Sequence, residues 1–313
     1  MFEKLFASMQ GAYSANTIRA YKSDIRHYLE WLKQQDSASE PFTPPLLALY
    51  VEQMAERYKS ATIRRRLRSI SSVLLLSEQV DVTRDPQVKL AMKRMHRKIG
   101  RAQSQATPLT REILDQLKLS VGTDLRGQRD LLLLQLGYET MRRRSEICSF
   151  RFEDLIELPT GKPALRLNRS KTDQDGRGTF IAISNTLADM IENWGNTLKH
   201  YDLDAKGALL RGITRVKTPY SRGLNPVSVN LILRRLQQHA GLDQLPPLSG
   251  HSFRVGAALD LLRRGVDFEV IMLRGGWRSP STAISYLRSW AGDEVEIYIE
   301  ECAAQYAVTE ISE

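Results

Sequence analysis

The stretch GRAQSQATP, residues 100–108, is polar, aperiodic and closed by a proline. Neither a helix nor a strand accommodates it, and it reads as a linker. It splits the chain into 1–104 and 105–313, and 313 residues suit two domains by size. What precedes it reads as helix after helix. Ser14 or Asn16 caps a helix running to about Gln35, with Ile18, Tyr21, Ile25, Leu29 and Leu32 at helical spacing. DSASEPFTPP (36–45) is a turn-rich connection. A second helix covers 45–57. A third, 60–79, places Ile63, Leu67, Ile70 and Leu74 on one face and leaves Arg64, Arg65 and Arg68 to the side or outward. A fourth starts after Asp85-Pro86 and carries Lys89, Lys93, Arg94 and Arg97.

Charge is unevenly spread. Residues 57–101 hold 13 Lys/Arg against 3 acids, an excess larger than the +9 of the whole chain. A solvated helix face is the commoner meaning of a charge run. Here the excess spans two helices with little acid between, which favours contact with nucleic-acid phosphates. Arg64, Arg65, Arg68, Lys93, Arg94 and Arg97 are the candidates. The last 23 residues, 291–313, have seven acids and no Lys or Arg. They form a second, different surface. No stretch reads as a signal peptide or a membrane span. Cys148 and Cys302 make neither a disulfide framework nor a zinc site. A reducing, cytoplasmic setting fits.

The rest of the chain is mainly α with one small β element. Thr110 can cap a helix, and RDLLLLQLGY (129–138) is apolar nearly all round, as a buried helix is. ALRLNRSKTDQDGRGTFIAI (164–183) alternates on both sides of Asp-Gly, a β-hairpin pattern. Helices resume after Asn225. In NPVSVNLILRRLQQHAG (225–241), Val229, Leu233 and Leu236 pack inward and leave Asn230, Arg234 and Gln237 available to a DNA groove.

Four places here could carry chemistry. In MRRRSEICSF (141–150), Arg143 and Glu146 share a helix face, either as a surface ion pair or as a carboxylate orienting a guanidinium. Lys171 lies near the hairpin turn, as a soluble strand edge or as an ammonium delivered into a cleft. His251 and Arg254 are three apart on a helix, structural or forming an anion site with an acid–base group. Trp277 and Tyr286 flank SPSTAISYL, where Pro280 bars helix through 279. A tyrosine there is ordinarily packing.

Taken in order, R-x-S-E at 143–146, Lys171, H-x-x-R at 251–254 and Gly276-Trp277 nine residues before Tyr286 resemble the tyrosine recombinase, or phage integrase, family. Trp277, where many members carry histidine, points to Cre-like members rather than the Xer type. The resemblance runs from about residue 12 to the end. One departure is Met141, in T-M-R-R, where the family often has glycine. The Ser145-Glu146 pair sets the register on Arg143 rather than Arg142 or Arg144.

The resemblance implies a helical, SAM-like core-binding domain (1–104) and a mixed α/β catalytic domain (105–313), closing as a C-shaped clamp on DNA. It implies a site-specific recombinase acting through a 3′-phosphotyrosyl intermediate, without metal, nucleotide or other cofactor. Tyr286 is then the nucleophile. Arg143, Arg254 and Trp277 hold the phosphate, Lys171 protonates the leaving oxygen, His251 handles the phenol proton and Glu146 orients its neighbours. The partners are double-stranded DNA bearing inverted repeats and, through a trans-docking helix at 291–313, three further copies in a tetramer. The alternatives are an integrase or transposon recombinase needing accessory factors, a nicking-closing topoisomerase, and a DNA-binding protein of the same fold without catalysis.

Overall fold

The computed structural model describes residues 2–35, 40–101, 105–168, 178–287 and 290. The chain separates into two compact units, Met1–Ser104 and Gln105–Glu313.

In the first unit, Ser14 caps α2 (Ala15–Leu32) by accepting from the Thr17 N–H. A one-and-a-half-turn α1 (Glu3–Ser8) precedes it and brings Phe6 to the core. α3 (Pro44–Met54) packs on α5 (Pro86–Ile99), and α2 packs on α4 (Ser60–Leu76). Asp85 caps α5 with Pro86 in the first turn, the position where a missing N–H costs nothing. Tyr28, Leu47, Tyr50, Ile63, Ile70 and Leu74 form the centre of this core.

The second unit is built around α7 (Leu125–Thr140), whose buried residues lie on every side of the helix. α11 (Gly250–Arg263) lies against it, and α12 (Phe268–Gly275) and α13 (Pro280–Leu287) pack on α11. Two glycines set these distances. A β-carbon on Gly137 would lie 2.7 Å from the Phe253 ring, and one on Gly256 would lie 1.9 Å from the Leu109 carbonyl oxygen. α11 therefore sits closer to its neighbours than any side-chain-bearing residue would permit. α6 (Arg111–Leu119), α8 (Arg144–Ile147), α9 (Asn185–Lys199) and α10 (Pro226–His239) are the other α-helices among the described residues of this unit. β1 (Leu155–Glu157), β2 (Pro163–Leu167) and β3 (Thr179–Ala182) form an antiparallel sheet in that order. The two hairpin strands pair with Leu165 opposite Ile181. A second ribbon, β4 (Arg211–Ile213) with β5 (Pro219–Gly223), adds strands beyond the one hairpin expected.

Met141 ends α7 in the left-handed conformation, φ 52°, with its side chain fully buried. That backbone costs a non-glycine residue about 1–2 kcal/mol. Burying a methionine side chain contributes about 1.5–3 kcal/mol in the other direction. The departure from glycine is thus balanced by core packing rather than by a change in the turn.

Candidate active site

Arg143 stands just before α8 with extended backbone. The buried Glu146 accepts from the Arg143 backbone N–H at 3.0 Å and from its Nη1 at 3.0 Å. One carboxylate thus fixes both the turn and the guanidinium, which a freely solvated surface pair would not do.

Arg254 lies on the fifth residue of α11 and is 1% exposed. Its Cζ sits 4.7 Å from the centre of the Trp277 ring. Burial, and next the Arg143 cation, pull its pKa down to about 10, partly opposed by Glu146. It stays charged at neutral pH, but the charge is poorly compensated. Its Nη1 is buried with no hydrogen-bond partner, and so is Nε1 of Trp277. Leaving buried donors unpaired costs about 1–3 kcal/mol each. Two such donors side by side make a place shaped for an acceptor.

Tyr286, half-buried on α13, faces this place. Its ring centre lies 6.1 Å from that of Trp277 and 6.2 Å from that of His251. No described residue hydrogen-bonds its hydroxyl. His251 is exposed near the start of α11. Partial desolvation, then Arg254, Arg143 and Arg144, hold its pKa below the usual imidazole range. The ring is therefore neutral at pH 7 and able to take a proton. Asn230 on α10 accepts from the Gly250 N–H at 3.0 Å and so steadies the first turn that carries His251. Arg143, Glu146, His251, Arg254, Trp277 and Tyr286 are thus gathered in one region from the start of α8, from α11 and α13, and from the turn that follows α12. Lys171 lies outside the described residues, as does the tail 291–313.

The expected DNA-contact residues divide. Arg68, Lys93 and Arg97 are exposed and in no ion pair among the described residues, and Arg64 is half-buried. Arg65 is instead bound at 2.5 Å to the buried Asp24, a carboxylate that also accepts from Ser69. A buried carboxylate needs such a countercharge. Arg94 pairs with Glu52 at 2.5 Å, and one turn on Lys98 pairs with Glu56. Both are exposed ladder pairs of small worth. In α10, Arg234 is exposed, but Asn230 has its amide oxygen occupied and Gln237 is buried. Gln237 bonds the carbonyls of Leu242 and Leu245 and accepts from the Leu248 N–H. Its placement outward is corrected: it falls four residues after Leu233 and eight after Val229, on the inward face.

Arg142, set below Arg143 as the catalytic arginine, has a place of its own. It is buried and donates from Nη2 to the Arg274 carbonyl at 2.9 Å. Nothing in the run of three adjacent arginines, 142–144, separates its place from that of its neighbours.

Buried unpaired donors, an oriented arginine and a neighbouring phenol lie together in this region. The chain belongs to the phage integrase family. The family's own description, Phage integrase family, matches residues 109–291, and Phage integrase, N-terminal SAM-like domain, matches residues 4–74. It is 29% identical over 288 residues to an integrase/recombinase xerD homolog of Selenomonas ruminantium, covering 87% of this chain and 81% of that one. It is 26% identical over 294 residues to the recombinase cre of Escherichia phage P1, covering 89% and 85%. In fold it matches XerH site-specific recombinase in a post-cleavage complex with palindromic difH substrate (TM-score 0.67, 14% identity, 95% and 83% covered). It also matches a lambda integrase dimer on a COC′ core site (TM-score 0.63, 16% identity, 91% and 92% covered).

Proposed function

We propose that this protein is a site-specific tyrosine recombinase that cuts and rejoins double-stranded DNA at an inverted-repeat site. The observation that carries the reading is the pair of unpartnered donors, Arg254 Nη1 and Trp277 Nε1, beside the Tyr286 ring. Tyr286 Oη attacks the phosphorus, the bond to the 5′-oxygen breaks, and a 3′-phosphotyrosyl link forms. The phenol must shed its proton, since its ordinary pKa is near 10. Neutral His251 takes it. Lys171 supplies a proton to the departing 5′-oxygen. Arg143, Arg254 and Trp277 gather the charge growing on the nonbridging oxygens. The covalent link keeps the bond energy for rejoining, so the reverse attack by a 5′-hydroxyl needs no nucleotide. Arg64, Arg68, Lys93 and Arg97 of the first unit, with Arg234 of α10, are the DNA contacts this reading favours. The relatives in a bacterium and a phage support cytoplasmic, nucleoid DNA as the place of action.

The direct test is incubation with a nicked candidate site, from which the short cut fragment escapes. A protein–DNA adduct that survives a denaturing gel is the expected result. Its absence on a site the protein demonstrably binds would overturn the reading.

The acidic tail 291–313 has Val295, Ile299, Cys302 and Tyr306 at helical spacing. This pattern, and a charge that repels DNA, support docking on a neighbouring protomer in a tetramer. Removal of 291–313 is expected to keep DNA binding and lose recombination between two sites by more than tenfold. Full recombination by the truncated protein, scored by product length, would exclude the docking role.

A further inference from the structure

α7 and α12 both end in left-handed residues, Met141 and Gly276. Helix ends leave carbonyls without intrahelical partners. Here each end is served by an arginine from the other. Arg142 donates to the Arg274 carbonyl at 2.9 Å, and Arg274 Nη2 donates to the Glu139 carbonyl at 3.1 Å. The crossing ties the segment that leads into Arg143 to the segment that leads into Trp277. The fit is close: a β-carbon on Gly276 would lie 2.3 Å from Arg142 Nη1. It is also costly, because Arg142 is 4% exposed and its Nε has no partner. An apolar side chain would fill this space without desolvating a cation. What the guanidinium adds is a directed bond.

We propose that Arg142 and Arg274 are positioning residues that set Trp277 in register with Arg143 and Arg254. The inference rests on the proposed phosphate role of those three residues. Neither member of the pair reaches the phosphate. They act by holding the Gly275–Trp277 turn against the end of α7, so that two donors from distant parts of the chain meet one anion.

Two readouts test this on the full-length protein. The first is single-turnover adduct formation on nicked DNA at saturating protein. Arg142→Met keeps the apolar stem and is expected to slow it at least tenfold, with DNA affinity and melting temperature nearly unchanged. Gly276→Ala places a methyl where the Arg142 head lies and is expected to slow it too. The double variant is expected to be no slower than the slower single, because both break one contact. Cleavage by Arg142→Met at the parent rate, or losses that multiply in the double variant, would overturn the proposal. The second readout needs no cleavage. In protein carrying 15N-tryptophan, the Trp277 indole signal, assigned with Trp277→Phe, is expected to move or broaden in Arg142→Met while that of Trp194 stays. An unmoved Trp277 signal sinks the positioning role. A parent protein that forms no Tyr286-dependent adduct sinks the functional reading instead, and the indole signal still judges the pair.

Discussion

Tyr286→Phe is expected to bind its site as the parent does and to form no covalent adduct at all. The substitution removes one oxygen and leaves the ring in place against His251 and Trp277. No described residue hydrogen-bonds that oxygen, so its loss strands no buried partner, and stability should change by less than about 1 kcal/mol. Half-burial of the ring supplies the packing in both forms. The effect therefore divides cleanly: affinity, measured by gel shift, stays within about twofold, while adduct on nicked DNA falls below detection. Phenylalanine offers no nucleophile, so the comparison is all or none. Adduct persisting in this variant would mean that another hydroxyl attacks. The family resemblance would then have pointed to the wrong residue.

Arg254→Met is the second large effect, and it runs in opposite directions on two axes. Deleting one preorganised donor from a developing oxyanion typically costs about 10²–10³ in rate. Arg254 also contributes charge, so single-turnover cleavage is expected to fall by at least that much. Stability should not fall with it. A fully buried cation, lowered in pKa by burial and by Arg143, is a liability to the free protein. Replacing such ions with apolar groups of similar volume is often neutral or stabilising by about 1–4 kcal/mol. The melting temperature is expected to hold or rise while activity collapses. A variant that loses both together would mark Arg254 as structural support, and one that cleaves at the parent rate would remove it from the phosphate site.

Much of the fold was legible because the signals were local. Ser14, one of the two expected caps, does cap α2, and Asp85 and Asn225 stand where helices were expected to begin, whereas Thr110 precedes α6 without a side-chain cap bond. The all-apolar run at 129–138 is the buried helix it resembled. Short elements without strong periodicity, α1 and the β4–β5 ribbon, left no comparable trace. In the site, the spacing of His251 to Arg254 was readable because three residues make nearly one helical turn; Arg143 instead stands outside α8 with extended backbone and meets Glu146 through the capping turn, not across a shared helix face. Which charges are spent internally was not readable. Arg65 and Arg94 look identical to Arg68 and Arg97 in sequence. Only the tertiary placement of Asp24 and Glu52 ties the first two down. Gln237 is a different case. Its four-residue step from Leu233 puts it on the inward face of α10, where its amide is spent on backbone groups.

The donors and the nucleophile sit on elements of unequal local stability. α11 carries Arg254 inside a helix with nine buried residues, locked by the close approach at Gly256. α13 carries Tyr286 on eight residues, of which Ala283 and Leu287 are the buried ones. Opening free energy follows buried contact, so α13 lets go long before α11. Tyr286 can thus move away from Trp277 by a sub-global fluctuation that leaves Arg254 in place. In amide exchange, α11 with Arg254 is expected to exchange more slowly than α13 with Tyr286.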